Sequence, residues 1–297
     1  MGFLAAFLLP VFHGTCNIIG GQLSTKEFKS PITLLFYLRM TYVIAILAFL
    51  LIFGFPQIPT VGIITLIVIA GLLDILAAIP FLTAYKHADT SIVGAYLSLG
   101  KIFKPIVAFA LLGELLSPFQ YLGFLVIIVA NVILGTRDFR KFKINKGFYL
   151  MLIVAILSAF QVALLKRASL AMDAESTTFY FVTLRCVLPL LFLLNRNRRV
   201  DIRKNLPIYR SLFPLFIIIA AFSTAGWFAS NYANYMLPIV IVSAINSLRP
   251  LFILSVGLVA DKLFHRSLNE KLSRNETIKK LLCFTLIVIG VYIAIGI

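Results

Sequence analysis

Residues 60–85 read TVGIITLIVIAGLLDILAAIPFLTAY, an apolar run with a single charge, Asp74, near its centre. A helix needs about 20 mostly apolar residues to cross the hydrocarbon core of a bilayer, and this run is long enough. Similar runs lie on both sides of it, at roughly 2–23, 31–54, 91–112, 118–136, 147–167, 176–195, 210–235, 238–260 and 277–297. Between them stand turn residues (Phe55-Pro56-Gln57-Ile58-Pro59, Ser117-Pro118, Leu237-Pro238) and charged loops at 137–146 and 196–204. The spacing predicts an all-α integral membrane protein with ten transmembrane helices.

Composition excludes a water-soluble fold. The chain is 61% hydrophobic and 13% charged, with a mean hydropathy of +1.02, whereas a soluble domain is about half apolar and a quarter charged. Cys16, Cys186 and Cys283 fall inside apolar runs without CxxC or Cys/His spacing, so neither a disulfide nor a metal site is expected. The first run lacks a basic leader and a small-residue cleavage site, and reads as a retained helix.

The net charge of +16 raises nucleic acid as a partner. The bases lie in short connections, however, with no basic domain carrying interleaved aromatics, so no nucleic-acid partner is expected. Of 27 Lys and Arg, 20 fall in the connections after runs 1, 3, 5, 7 and 9. Two, Lys166 and Arg167, fall in the others, and five lie inside runs. By the positive-inside rule the odd connections are cytoplasmic and both termini are on the outer side.

The halves resemble each other. Arg39 in Phe36-Tyr37-Leu38-Arg39-Met40 recurs as Arg185 in Val182-Thr183-Leu184-Arg185-Cys186, and Lys104-Pro105 as Arg249-Pro250, each about 145 positions later. Asn17 and Gln161 stand at similar depths in the first helix of each half. Five spans per half would invert the second copy in the membrane. The sequence therefore predicts two inverted five-helix repeats, 1–146 and 147–297, an architecture of secondary transporters that places substrate near the midplane.

An ionised group inside a span costs about 2.5–3.5 kcal/mol and normally faces a cavity or a partner. The informative set is Arg39, Asp74, Lys101, Lys104, Arg185 and Arg249. Lys101 and Lys104 share a helix face, and Arg249 is the repeat mate of Lys104. Pro105 and Pro250 each remove an amide donor and bend their helices. Bases converging on a dry cavity call for an anion; the competing readings are pairing with Asp74 or Glu114, or snorkelling to an interface. Asp74 reads either as a proton-coupling carboxylate or as the counter-ion of Lys101 or an arginine. Arg39 and Arg185 read as structural or gating residues held by helix-end carbonyls or a loop carboxylate, and Glu114 as a loop-fixing residue. Asn17, Tyr96, Gln161, Trp227, Asn231, Asn246 and His13 are candidates to line the cavity, against simple interhelical hydrogen bonding.

Several stretches resemble one family. Ala84-Tyr85-Lys86-His87-Ala88, Pro105 through Leu112, Gly113-Glu114-Leu115-Leu116-Ser117 and Gln120-Tyr121-Leu122-Gly123 are similar to the helix 3–5 signature of EamA-type members of the drug/metabolite transporter superfamily. His13-Gly14-Thr15-Cys16-Asn17 resembles the family's first-helix motif, with His for Trp, and Arg39 stands where its second helix carries Arg. The likeness is weaker in the second half, where Val259 or Asp261 replaces the Gly-Glu pair. The resemblance implies ten helices in inverted repeats, export or exchange of small metabolites, a bacterial inner membrane and no cofactor. It also implies both termini in the cytoplasm, opposite to the charge bias, which is followed here. Lys101-Ile102-Phe103-Lys104-Pro105 and Asn246-Ser247-Leu248-Arg249-Pro250 further resemble the substrate segments of sugar-phosphate translocators. By that likeness Lys101 and Arg249 bind an anionic group, although Pro250 replaces the second base of the helix 9 pair.

Enzyme signatures such as GxSxG, HExxH and the P-loop are absent, and no metal or cofactor is expected. The sequence is therefore read as a secondary transporter of small anionic or zwitterionic metabolites, a monomer or homodimer in the lipid bilayer. The alternatives are an intramembrane enzyme on a lipid-linked substrate, which lacks paired acids or a His cluster, and a non-transporting scaffold or receptor, which leaves the buried bases unexplained.

Overall fold

The computed structural model describes residues 1–87, 93, 96, 100–135, 146–249, 251–253 and 274–295. All regular structure among them is helical: α1 (Gly2–Gln22), α2 (Pro31–Met40), α3 (Tyr42–Phe53), α4 (Val61–Ala84), α5 (Gly100–Leu112), α6 (Pro118–Gly135), α7 (Lys146–Ala171), α8 (Ala174–Val187), α9 (Arg196–Ser211), α10 (Phe213–Met236), α11 (Ile239–Ile245) and α12 (Arg274–Ile295). Among the described residues, six segments are long and apolar enough to cross a membrane: Gly2–Glu27, Pro31–Phe53, Val61–Ala84, Lys146–Ala171, Ala174–Leu194 and Phe213–Met236. The chain is a multi-pass α-helical membrane protein. The apolar runs at 118–136, 238–260 and 277–297 appear as α6, α11 and α12, whose apolar stretches are shorter, and the run at 91–112 is described continuously only from Gly100. The proposed kink at Pro250, the substitutions at Val259 and Asp261, and most of the 137–146 loop lie outside the described residues.

The ends of these helices follow from local chemistry. Ser30 accepts from the Thr33 amide ahead of Pro31, Thr60 from Ile63 and Asp173 from Ser176, each satisfying an amide that a helix start leaves open. Leu51, Leu72, Leu76, Leu125, Leu281 and Val288 are exposed on the outside of the bundle, which suits lipid and not water.

Two spans are broken. At Thr41 the helix steps from α2 to α3, and after α8 the turn Leu188–Leu194, which contains Pro189, is a 3₁₀ helix. Arg39 and Arg185 each occupy the last helical turn before the break, where the helix dipole favours a cation. One sequence expectation is corrected: the charged stretch 196–204 is not a loop but the start of α9. That helix is capped by Asn195 and docks Ile202, Leu206, Ile208 and Tyr209 into the core, leaving its arginines exposed. Charge alone hid a helix whose apolar residues recur at helical spacing.

α4 packs along α7, α1 along α10 and α6 along α12, so the two halves of the chain interleave. The connections sort to two ends. Lys86 donates to the Lys29 carbonyl and Thr33 to Asp201, bringing the connections after α1 and α4 together with α9. At the opposite ends of those spans, the Gln57 amide donates to Ser176. There Lys166, which the sequence places in a connection, is inside α7 and buried. It pairs with Glu114 Oε1 at 2.5 Å and donates to the Leu237 carbonyl at 2.7 Å. Gly113 (φ +68°) turns the chain after α5 into the left-handed region open to glycine. The turn delivers Glu114 to Lys166 and to the Ile239 amide, 2.9 Å away.

α6 and α12 cross with their backbones in contact at Gly123 and Gly290. A Cβ at Gly123 would lie 2.5 Å from the Ala294 amide nitrogen and 2.7 Å from the Gly290 carbonyl oxygen, and one at Gly290 would lie 2.8 Å from the Gly123 carbonyl oxygen. Close approach through small residues is how membrane helices gain packing without a hydrophobic drive between them. Gly123→Ala is therefore expected to destabilise by about 1–3 kcal/mol, seen as a lower unfolding temperature of purified protein. Gly62→Ala, where nothing lies within 4 Å, is the control and stays level or rises.

Candidate functional site

A cavity of about 300 Å³ opens inside the bundle, within the range of small-molecule sites. It is lined from the middle of the spans: His13, Cys16 and Asn17 of α1, Arg39 and Tyr42 at the Thr41 break, Asp74 of α4, Lys101 and Lys104 of α5, Gln161 of α7, Arg185 of α8, Ser223 and Trp227 of α10, and Ser243, Asn246 and Arg249 from α11 and the turn beyond it. Among the described residues, five bases and one acid thus line one cavity. Of the sequence candidates, Lys101, Lys104, Arg249, Asn246, Asn17, Asp74, Arg39 and Arg185 all meet here. Tyr96 does not: its ring packs edge-on against Phe148, 5.6 Å between centroids, and is not part of the lining. Its polar end invited a cavity reading that apolar packing overrides. Glu114 lies at the end of α5 with Lys166, away from the lining.

The first cluster is centred on Asp74. Its Oδ2 accepts from Arg39 Nη2 at 2.6 Å and Arg185 Nε at 2.9 Å, and its Oδ1 accepts from Gln161 Nε2 at 3.3 Å. Arg39 Nη1 donates to the Tyr42 hydroxyl at 3.1 Å, which is paired with Ser223 Oγ at 2.7 Å. The Arg185 guanidinium stands over three rings, 4.8 Å from Trp227, 5.1 Å from Tyr42 and 5.4 Å from Phe181; desolvated contacts of this kind are worth about 2 kcal/mol or more. The expectation that Arg39 and Arg185 are held by helix-end carbonyls or a loop carboxylate is corrected, since both share the in-span carboxylate. The reason is reach: breaks in both spans deliver the two arginines to one depth, where α4 presents Asp74.

The second cluster holds His13, Lys101, Lys104 and Arg249. Arg249 Nε and Nη2 donate to Asn246 Oδ1 at 3.3 and 3.1 Å, and Nη2 also meets His13 Nδ1 at 2.9 Å. Because a guanidinium only donates, Nδ1 is the accepting nitrogen. Gly226 makes room for this imidazole, because a Cβ there would lie 2.9 Å from the ring, and Trp227 packs edge-on against it at 6.0 Å. Lys104 Nζ donates to Ser243 Oγ at 3.1 Å, linking α5 to α11. Lys101, Lys104 and Arg249 lie close enough to repel one another. Cys16 is within electrostatic reach of both Arg249 and Arg39, so both clusters belong to one cavity.

Sequence reasoning missed Tyr42, Tyr85 and Ser223 as lining residues. Tyr42 follows Arg39 by three positions, a same-face spacing that was available as a signal; Tyr85 and Ser223 offered none. Three polar atoms of lining residues, Asn17 Nδ2, the Tyr85 hydroxyl and Arg185 Nη1, are buried without a hydrogen-bond partner among the described residues. Among the described residues no group of three or more His, Cys, Asp and Glu side chains is placed to hold a metal ion.

No family model matches the chain, and none of the curated proteins matches it. A solved structure titled only "Crystal structure of protein" is similar to it, with a TM-score of 0.62 and 14% identity over 97% of this chain and 96% of that one. At that identity the likeness is one of fold.

Removing the carboxylate of the first cluster leaves two buried guanidiniums without a counter-ion. Asp74→Asn is expected to cost about 3–5 kcal/mol, the usual effect of breaking a buried pair from one side. The unfolding temperature of the purified variant reads this directly, and an unchanged temperature contradicts the role given to Asp74.

Proposed function

We propose that this protein is a secondary transporter of small anionic metabolites that binds substrate in the mid-span cavity and releases it by alternating access. The observation that carries the reading is the cavity wall, with five basic side chains and one carboxylate buried in the middle of membrane spans. At about 2.5–3.5 kcal/mol per buried charge, such an arrangement is costly without an anion to receive. In the second cluster Arg249 is held by Asn246 and His13 and Lys104 by Ser243, neutral partners that leave both positive charges in place.

The reading includes ten spans arranged as two inverted repeats. Three features support it. The packing of α1 on α10 becomes that of α7 on α4 when the halves are exchanged. The Gly123–Gly290 contact is reciprocal, as a two-fold relation demands. Arg39 and Arg185 hold equivalent places ahead of breaks in the second span of each half. The motif likeness to EamA-type transporters points the same way. The gathering of Lys29, Lys86 and the arginines of α9 at one end favours that end as cytoplasmic. Both termini then lie on the outer side of what we take to be a bacterial inner membrane.

Purified protein in proteoliposomes is expected to take up labelled members of a panel of carboxylates and phosphates with saturation. Arg249→Gln and Lys101→Gln are each expected to lower uptake by about tenfold or more, the worth of one charge-assisted contact, while the protein still purifies as a folded species. Unchanged kinetics in both variants contradict the assignment, and uptake of no panel member contradicts transport.

A further inference from the structure

We infer that the cavity takes a ligand with two separated oxyanionic ends, the second end held by Arg185, and that it discriminates against a zwitterion. The inference rests on the transport reading above and narrows the substrate class of the same site.

The first ground is the state of Arg185. It is 7% exposed, it lines the cavity, and its Nη1 has no hydrogen-bond partner among the described residues. A guanidinium carries five donors and no acceptor. Here Nε is used by Asp74 and the face is covered by Trp227, Tyr42 and Phe181. What Nη1 lacks is an acceptor, and buried donors in native proteins are seldom left without one.

The second ground is charge. Arg39, Arg185 and Asp74 together carry one uncompensated positive charge, which one anionic group would neutralise. The third ground is the fate of the carboxylate. Both oxygens of Asp74 are accepting, Oδ2 from two arginines and Oδ1 from Gln161. A ligand ammonium would find no free acid there. It would also find the rings of Tyr42 and Trp227, otherwise suited to a cation, already facing Arg185. Of the other lining atoms without a partner among the described residues, Asn17 Nδ2 only donates and so calls for an acceptor, while the Tyr85 hydroxyl can donate or accept. The other anionic end falls to Lys101, Lys104 and Arg249, which line the same cavity.

The test compares three probe series of matched chain length: monocarboxylates, α,ω-dicarboxylates from succinate to adipate, and ω-amino acids. Binding is read by thermal shift of the full-length protein, and transport by competition for uptake in proteoliposomes. At least one dicarboxylate is expected to bind about tenfold or more tighter than its monocarboxylate and ω-amino counterparts. Arg185→Gln is expected to erase that preference, and Arg185→Lys to restore part of it. Should Arg185→Gln fail to fold, the wild-type comparison and Arg185→Lys decide alone. Equal or tighter binding of ω-amino acids or monocarboxylates overturns the inference and leaves transport standing. Dicarboxylate-selective binding without any uptake overturns transport and leaves the two-anion site. Binding of none of the three series overturns the inference.

Discussion

Asp74 is the constraint around which the bundle is arranged. One carboxylate on α4 accepts from arginines on α2 and α8 and from an amide on α7, and Arg39 carries the connection on through Tyr42 to Ser223 of α10. Six elements, α2, α3, α4, α7, α8 and α10, are thereby joined. Each charge alone is expensive in a bilayer; together they exchange hydrogen bonds in a site from which water is largely excluded, where such bonds are strong and the loss of one partner is severe. The breaks at Thr41 and Leu188 make the arrangement reachable by placing both arginines at the ends of helical segments.

That junction divides the cavity's charge into two kinds. Near Asp74 the positive charge is mostly spent on structure, with one guanidinium nitrogen left over. Near Arg249 two of the bases have neutral hydrogen-bond partners: Asn246 and His13 for Arg249, and Ser243 for Lys104. Neutral partners fix the geometry of a base without cancelling its field, which is what a binding site for an anion requires. At the cavity a small residue, Gly226 beneath His13, sets how closely α1 and α10 approach.

Much of this was legible in the sequence, because the physics involved is local. Run length and hydropathy depend on the bilayer alone, so the spans at 60–85 and 147–167 stand out directly. Charges inside those runs are conspicuous for the same reason, and Arg39, Asp74, Lys101, Lys104, Arg185 and Arg249 all face the cavity. What escaped depends on partners distant in the chain. Lys166 looked like a connection residue because its acid, Glu114, comes from another span. The stretch 196–204 looked like a loop because its charges outweigh the apolar face that α9 docks. Tyr96 and Tyr85 are indistinguishable as polar aromatics in a sequence, and only packing sends one against Phe148 and the other into the cavity wall.

The central claim is that the cavity is accessible and positive, and Cys16 reports on it natively, since it lines the cavity within reach of both clusters. In a Cys186→Ala, Cys283→Ala background, the rates of Cys16 modification by a sulfonate-bearing and a trimethylammonium-bearing methanethiosulfonate can be compared, each normalised to a free thiol in solution. The account predicts a higher normalised rate for the anionic reagent, and a fall in that rate when Lys104 or Arg249 is neutralised. A higher normalised rate for the cationic reagent would contradict it.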